Sequence, residues 1–192
     1  MNGSESICGW LISASWAALV GYWCVSAAGA IRISGTRWIW WREITLRLGF
    51  FASVLLLVQI EAAAGFLPLA GSSFLNTSWP LGLSGFLLSV LGVGLAIGAR
   101  VSLGAVWAVR APSQLITNGP YATVRHPLYG GLLLAMLGSA MGQSVLWVLP
   151  LIVYGPGFVA SARREEQVLL EQFPDQYRDY MRHTKLFIPF LY

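Results

Sequence analysis

The apolar positions of the chain fall into long runs without Lys or Arg, and a helix needs about 20 such residues to cross a bilayer. The runs cover residues 7–31, 48–69, 79–99 and 128–162. As a single helix the last run would be about 52 Å long, which is far more than a bilayer core of about 30 Å. Gly142, Gln143 and Ser144 supply a turn, so this run is predicted to form a tight helical hairpin of two spans, 128–142 and 145–162.

This pattern predicts an all-α integral membrane protein with five transmembrane helices, and the scarcity of charge agrees with it. Of the 192 residues 56% are apolar and 10% are charged, whereas a soluble domain carries about a quarter charged residues. Nucleic-acid binding is also disfavoured, because the 12 basic residues are spread between apolar runs. Cys8 and Cys24 lie too far apart on one predicted span to form a disulfide.

The basic residues predict the orientation in the membrane, because cytoplasmic loops are enriched in Lys and Arg. With five spans, all 12 basic residues fall on one side, in the loops 32–47 and 100–125 and in the tail after residue 162. The N-terminus is therefore predicted outside and the C-terminus in the cytoplasm, and the compact size favours a bacterial inner membrane. Residues 1–192 are predicted to form one membrane domain with a short cytoplasmic C-terminal helical cap. The polar elements 100–130 and 163–190 are predicted to lie together on the cytoplasmic side.

Glycine spacing gives a prediction of how the spans pack. Gly94 and Gly98, and again Gly138 and Gly142, are four residues apart, which is the small-residue pattern that lets helix backbones approach closely. The alternative is that glycine is simply common in membrane helices.

The first cytoplasmic element contains a turn followed by a helix start. Asn118, Gly119 and Pro120 form a turn signal, and Pro127 suits the first position of the helix that begins the fourth span. The free N–H groups and positive dipole end of such a helix suit an anionic group of a ligand. The alternative is a plain loop-to-helix junction with Arg125 reaching the lipid headgroups.

The second cytoplasmic element is predicted to continue the fifth span as a helix as far as Phe173. Glu165 and Glu166 are adjacent in it, so that one glutamate points into a site while the other meets water. Pro174 ends the helix, and a short amphipathic helix is predicted over 175–182. An interfacial helix with charge pairs along its surface is the alternative.

Other chemistries have little support in the sequence. The two histidines are 57 positions apart and no Cys-x-x-Cys motif occurs, so no metal site is predicted. Glu61 is a charge inside a predicted span, which makes it a functional suspect by default and the main functional residue if the protein is a non-enzymatic scaffold. Its depth in the outer half of that span separates it from the cytoplasmic elements, and a hydrogen bond to a neighbouring helix is the alternative.

Several short motifs occur in order in the second half of the chain. They are Gly119-Pro120-Tyr121, Arg125-His126-Pro127-Leu128-Tyr129-Gly130, Glu165-Glu166, the block from Phe173 to Tyr180, and Phe187-Ile188-Pro189. This ordered set resembles the isoprenylcysteine carboxyl methyltransferase family, with the related phospholipid methyltransferases. The resemblance covers residues 100–190, whereas residues 1–99 are similar only in being transmembrane.

The resemblance implies a methyltransferase that uses S-adenosyl-L-methionine, yields S-adenosyl-L-homocysteine, and acts on a lipidic substrate that enters from the bilayer. By the family pattern, the residues that hold the cofactor are Gln114, Leu115, Ile116, Thr117, Tyr121, His126, Pro127, Leu128, Tyr129 and Glu165. The candidate catalytic residues are Glu166, Arg164 and Arg125.

The chain departs from the family pattern at the arginine that orients the substrate carboxylate. In the family this arginine lies about one turn before the glutamates, near Ser161, whereas here Arg163 and Arg164 stand directly before Glu165. Arg164 or Arg125 would take its place. A carboxylate acceptor needs no base, but a protonated amine must first lose a proton, which would give Glu166 a role as base.

Carboxyl methylation of an isoprenylcysteine-like acceptor is the predicted reaction, and three alternatives stay open. They are N-methylation of a phospholipid ethanolamine, reduction of a sterol-type double bond by NADPH through a similar R-H-P-x-Y segment, and a non-enzymatic membrane scaffold. The expected partners are the lipid bilayer and a membrane lipid or prenylated small molecule, with neither nucleic acid nor metal.

Overall fold

The computed structural model describes residues 3–34, 49–54, 56–57, 59, 79–104 and 114–189. Five helices lie in these ranges: α1 (Gly3–Ser34), α2 (Trp79–Leu103), α3 (Pro127–Gly142), α4 (Val148–Gln172) and α5 (Pro174–His183). Short 3-10 helices cover Gly119–Ala122 and Val145–Trp147, and residues 49–54 are also helical. Within the described ranges the only β pairing is a parallel bridge between Val124 and Lys185.

Three helices are long and apolar enough to cross a membrane, and their spans are Ile7–Ser26, Trp79–Leu103 and Val145–Gln172. The helix Pro127–Gly142 is apolar but shorter. The described residues therefore fit the predicted all-α membrane protein, whereas the count of five spans is not confirmed. Most of the predicted span 48–69, including Glu61, lies outside the described residues.

The structure has the hairpin turn at the predicted position. Helix α3 ends at Gly142, and the chain turns through Gln143 and Ser144 before the 3-10 helix that leads into α4. The Ser144 hydroxyl accepts a hydrogen bond from the Leu146 amide at 3.2 Å and so caps the new helical start. Helix α4 then continues through Pro156 to Gln172 without interruption, which confirms the predicted extension beyond residue 162.

Helices α2 and α3 meet backbone to backbone. A Cβ atom on Gly92 would lie 2.4 Å from the Ala135 amide nitrogen, and one on Gly138 would lie 2.4 Å from the Ser89 amide nitrogen. Glycines at these positions are therefore required by the approach of the two helices, as in other close-packed membrane helix pairs. Gly85 and Gly142 meet in the same way further along the pair.

The glycine prediction was right for α3 and wrong for α2. Gly138 and Gly142 lie in the contact, but a Cβ on Gly94 would meet nothing within 4 Å and one on Gly98 would meet only a Pro120 side-chain atom at 3.7 Å. Because a helix turns 100° per residue, Gly94 lies almost opposite Gly92. The contacting face of α2 instead carries Gly85, Ser89, Gly92 and Ala96, with steps of four, three and four residues.

Helix α1 packs on this pair through a tryptophan. Trp16 is 1% exposed, and its indole N–H donates to the Ser139 hydroxyl at 2.9 Å. The Ser139 hydroxyl in turn donates to the Ala135 carbonyl at 2.8 Å, so the buried polar atoms are paired. The Trp16 ring also stacks on Trp147, with centroids 4.9 Å apart, and this links α1 to the hairpin turn.

The outer faces of α2 and α4 carry large apolar side chains, which is what a lipid environment requires. The most exposed of them are Leu87, Leu91, Val101, Leu149, Ile152 and Val153. Charged residues of the described range are concentrated instead in the C-terminal part of α4, beyond its apolar region, and in α5.

We predict that Gly92→Ala destabilises the protein while Gly94→Ala does not. The new methyl group at position 92 meets the backbone of α3, which cannot rotate away, and overpacking of this kind costs about 1–3 kcal/mol. Thermal unfolding in detergent, followed by circular dichroism, should show a lowered Tm for Gly92→Ala and an unchanged or slightly raised Tm for Gly94→Ala. Equal Tm values for the two variants would contradict the assigned packing face.

Candidate active site

Arg125 and Glu166 form a buried ion pair between the start of α3 and the C-terminal part of α4. The guanidinium Nε lies 2.5 Å from Glu166 Oε1, and each side chain is 12% exposed. The Nη1 group of Arg125 donates to the Thr184 carbonyl at 2.5 Å and lies 3.5 Å from the Met181 carbonyl. One arginine therefore connects α3, α4 and the segment after α5. Loss of either partner would leave an uncompensated buried charge, which is strongly destabilising.

His126 lies between the two glutamates. Its Nδ1 is 3.5 Å from Glu165 Oε2, and its Nε2 is 3.7 Å from Glu166 Oε1. The side chain is only 6% exposed, and Nε2 has no hydrogen-bond partner among the residues that the structure describes. Burial lowers the pKa of His126, but the two carboxylates more than offset this effect and raise the pKa above its usual value. The site therefore favours an imidazolium ion.

Glu165 differs from Glu166 in its surroundings, as their positions on a helix predict. The Glu165 side chain is 46% exposed, and its Oε1 accepts a hydrogen bond of 2.6 Å from the Tyr129 hydroxyl. The Tyr129 ring stacks on Phe158 of α4 and on His126, with centroids 5.2 and 5.9 Å apart. Glu165 is thus a fixed carboxylate that remains open to a ligand, whereas Glu166 is enclosed.

Tyr121 lies in the 3-10 helix that precedes these residues. Gly119 opens this helix with φ of +58°, a conformation that favours glycine, and a Cβ there would lie 2.9 Å from the Ser102 hydroxyl of α2. The Tyr121 side chain is buried, and burial together with the charge of Glu165 raises the pKa of its hydroxyl. Tyr121 therefore remains a neutral phenol at the side of the site that carries Glu165.

The start of α3 is held by the segment that follows α5. The amide of Arg125 donates to the Lys185 carbonyl at 2.8 Å, and the amide of His126 donates to the Leu186 carbonyl at 3.0 Å. A Cβ on Gly130 would lie 3.1 Å from the Phe187 carbonyl oxygen, so the segment passes very close to the first turn of α3. This contact explains why a small residue follows Tyr129 in the chain.

The structure therefore brings together part of the predicted cofactor set. His126, Tyr129 and Glu165 contact one another, and the Tyr121 hydroxyl feels the charge of Glu165. Pro127 is buried at the first position of α3, and Leu128 is half buried beside it. Gln114, Leu115, Ile116 and Thr117 form an irregular stretch, in which Gln114 and Thr117 are exposed. Among the described residues, none of the hydrogen bonds or ion pairs that join the rest of the site reaches this stretch.

The three predicted catalytic residues have different surroundings. Arg125 and Glu166 are buried against each other, whereas Arg164 is exposed on the surface of α4. The Arg164 Nη2 group donates to the hydroxyl of Ser161 at 3.1 Å, so its guanidinium reaches back by one helical turn.

Three residues that contact the site were assigned no role from the sequence. The Tyr180 hydroxyl donates to the Tyr121 carbonyl at 2.6 Å, Tyr177 is buried with its hydroxyl 3.5 Å from Glu166, and Thr184 accepts from Arg125. The spacing of Tyr177 and Tyr180 put both on one turn of a helix, which was the available signal. Their partners could not be read from it.

Comparisons with known proteins give the class of the chain. A family model of phospholipid methyltransferases matches residues 81–176, which hold most of the site described above. The chain belongs to this family of membrane methyltransferases, which includes the isoprenylcysteine carboxyl methyltransferases. This confirms the resemblance seen in the ordered motifs.

Two curated relatives are bacterial metal-resistance proteins. The chain is 36% identical over 104 residues to the cobalt-zinc-cadmium resistance protein CzcN of Cupriavidus metallidurans, over 53% of this chain and 48% of that protein. It is 31% identical over 147 residues to the nickel-cobalt-cadmium resistance protein NccN of Alcaligenes xylosoxydans xylosoxydans, over 74% of this chain and 64% of that protein. The chain thus spans about half and under two thirds of the lengths of these relatives. No solved structure matches the chain significantly.

We predict that His126 makes the protein more stable at lower pH within the range 5.5 to 9. A histidine whose pKa is raised on folding contributes stability that is complete below its unfolded pKa of about 6.5 and is lost as pH rises through the folded value. The difference in Tm between the wild type and His126→Asn should therefore be largest near pH 6 and shrink toward pH 9. Arg125, Glu165 and Glu166 are the charged groups that face the ring. A difference that is constant with pH would show that His126 does not gain a proton through these carboxylates.

Proposed function

We propose that the protein is an S-adenosyl-L-methionine-dependent methyltransferase of the bacterial inner membrane, with its N-terminus outside and its site at the cytoplasmic face. The proposed reaction is carboxyl methylation of an isoprenylcysteine-like lipidic acceptor. The observation that carries the proposal is Glu165, a half-exposed carboxylate that Tyr129 fixes beside the first turn of α3. Membership of the phospholipid methyltransferase family supports it.

The residues present fit a ligand that carries an ammonium, a carboxylate and an aromatic base. Glu165 would accept the ammonium group, and a backbone amide in the first turn of α3 would donate to the carboxylate. The His126 Nε2 atom is buried without a hydrogen-bond partner in the described part of the chain, which is costly unless a bound group completes it. The rings of Tyr121 and Tyr129 offer faces for the base or for the sulfonium.

By the family pattern, Gln114, Leu115, Ile116 and Thr117 would complete the cofactor site. These residues lead directly into the turn that carries Tyr121, so their position depends on that turn. The cofactor supplies a methyl group on sulfonium, and its transfer to a carboxylate oxygen breaks the S–C bond, forms an O–C bond, returns the electron pair to sulfur and moves no proton.

The protein's task in this reaction is to align the acceptor and exclude water, since an ionised carboxylate needs no base. Arg164 is the arginine that we assign to the acceptor carboxylate. Its guanidinium is exposed and held at Ser161, one turn before the position of its own Cα, which is where the family arginine is expected. A planar guanidinium can bind a carboxylate through two parallel hydrogen bonds.

Arg125 and Glu166 are assigned a positioning role. Arg125 uses its Nε and Nη1 groups on Glu166 and on the Thr184 carbonyl, and Glu166 is enclosed by Arg125, His126 and Tyr177. The pair keeps the start of α3 and the glutamates of α4 at a fixed separation, whereas Arg164 remains exposed and available to a substrate.

We predict that Glu165→Gln weakens binding of S-adenosyl-L-homocysteine more than Glu166→Gln does. Loss of a charged hydrogen bond to a ligand removes about 1.5–3 kcal/mol, which is about ten- to a hundredfold in Kd. Isothermal titration calorimetry on purified protein in detergent measures this directly. Glu166→Gln should instead lower the Tm, because it leaves Arg125 buried without its counter-charge.

Glu171→Gln is the matched control, because Glu171 is an exposed glutamate on the same helix. Its Kd should equal that of the wild type. Absence of binding by the folded wild-type protein would overturn the proposed function, and equal losses in Glu165→Gln and Glu166→Gln would overturn the role given to Glu165.

The acceptor is tested by transfer of a labelled methyl group in vesicles that contain either an S-farnesylcysteine derivative or phosphatidylethanolamine. We predict a product that releases label as methanol in base, as an ester does. Arg164→Ala should raise KM for the acceptor about tenfold or more with little change in the KM for the cofactor, while Arg178→Ala on the exposed side of α5 should change neither. A base-stable product on phosphatidylethanolamine would show that the acceptor is an amine and not a carboxylate.

A further inference from the structure

The amide hydrogen bonds of the turn that carries Tyr121 are long, and the Thr123 hydroxyl adds one bond of 2.9 Å to the Pro120 carbonyl. The Tyr121 amide donates to the Asn118 carbonyl at 3.2 Å, and the amides of Thr123 and Val124 share the Pro120 carbonyl at 3.3 and 3.4 Å. These distances are at or beyond the long end of the usual range. Because a 3-10 helix of one turn has poor hydrogen-bond geometry, its position depends on contacts from outside.

Tyr180 provides such a contact. Its hydroxyl donates to the Tyr121 carbonyl at 2.6 Å and lies 3.5 Å from the Val124 carbonyl. The first carbonyl belongs to the candidate site residue itself, and the second is two residues before His126. One phenol from α5 therefore contacts the turn at Tyr121 and the chain just after the turn at Val124.

Tyr180 is itself fixed by the connection to Arg125. The Tyr180 carbonyl accepts hydrogen bonds from the Thr184 amide at 3.1 Å and the Thr184 hydroxyl at 2.6 Å. The Thr184 carbonyl then accepts from Arg125, which pairs with Glu166. A continuous series of contacts thus leads from the buried carboxylate on α4 through α5 to the Tyr121 turn.

The phenol also keeps its proton over the whole physiological range. Burial raises the pKa of Tyr180 to about 12. Its hydroxyl is therefore a hydrogen-bond donor to the turn at every pH at which the protein would be assayed.

We propose that Tyr180 is a positioning residue for the active site, which acts by fixing the Tyr121 carbonyl and with it the Tyr121 ring and the residues leading to His126. Tyr180 need not touch cofactor or substrate to do this. Its effect on ligand affinity rests on the proposed function, whereas its effect on the turn does not. The two parts can therefore be tested separately on the same variant.

The test compares Tyr180→Phe with the wild type by hydrogen–deuterium exchange and by calorimetry. Phenylalanine keeps the ring that packs 5.8 Å from Tyr177 and removes only the hydroxyl. We expect exchange of the Tyr121, Thr123 and Val124 amides to rise about two- to tenfold, the range that corresponds to one hydrogen bond, with no rise in α3. The Kd for S-adenosyl-L-homocysteine should rise by a similar factor, and kcat at saturating cofactor should stay near that of the wild type.

Tyr22→Phe is the matched control, because Tyr22 lies on α1, which contributes no side chain to the site contacts described above. It should change neither exchange in the turn nor Kd. Unchanged exchange in Tyr180→Phe, or a rise that is uniform over the turn and α3, would overturn the positioning role. A selective rise in exchange without a change in Kd would overturn the link between Tyr180 and ligand binding. A wild-type protein that does not bind S-adenosyl-L-homocysteine would refute the proposed function. The exchange result would still decide whether Tyr180 positions the turn.

Discussion

The backbone contact between α2 and α3 is the constraint on which the rest of the structure depends. Where a Cβ on Gly92 or Gly138 would lie 2.4 Å from a backbone nitrogen of the other helix, no side chain separates the two axes. Neither helix can rotate or slide without a clash, so the pair behaves as one rigid body. The start of α3, which His126 directly precedes, is placed relative to the bundle by this contact. Trp16 and Trp147 pack around the pair rather than between its helices.

The charged groups are arranged on this rigid base so that both glutamates face a basic side chain. Arg125 pairs with Glu166, and His126, whose pKa the two carboxylates raise, lies between Glu166 and Glu165. The enclosed pair, Arg125 and Glu166, joins elements distant in the sequence, while the more exposed Glu165 remains accessible to a ligand. Stability and ligand binding are thus assigned to different members of one cluster, which is why adjacent glutamates are expected to differ so much when each is replaced.

The sequence predicted the elements better than the contacts between them. The turn at Gly142, the continuation of α4 to Gln172 and the short helix after Pro174 follow from local rules of length, charge and proline, and all three are present. The prediction that Gly94 lies on the contacting face of α2 was wrong, because a four-residue spacing of glycines does not say which side of the helix meets a neighbour. The bond from Tyr180 to a backbone carbonyl 59 positions away leaves no trace in the pattern of residue types. For Arg125, spacing showed a cation near a helix start but not the glutamate and carbonyls that use its donors.

The pairing of residues 124–126 with 185–186 has a consequence for biosynthesis. Arg125 leaves the ribosome 59 residues before Thr184, whose carbonyl it binds, and α3 and α4 are synthesised in the interval. Until residues 185–187 have been synthesised, the chain at the start of α3 therefore lacks the carbonyls that pair with its amides and the close cover of Phe187. A chain that ended within α5 would contain every membrane helix described here and both glutamates. It would still lack the segment that covers the start of α3.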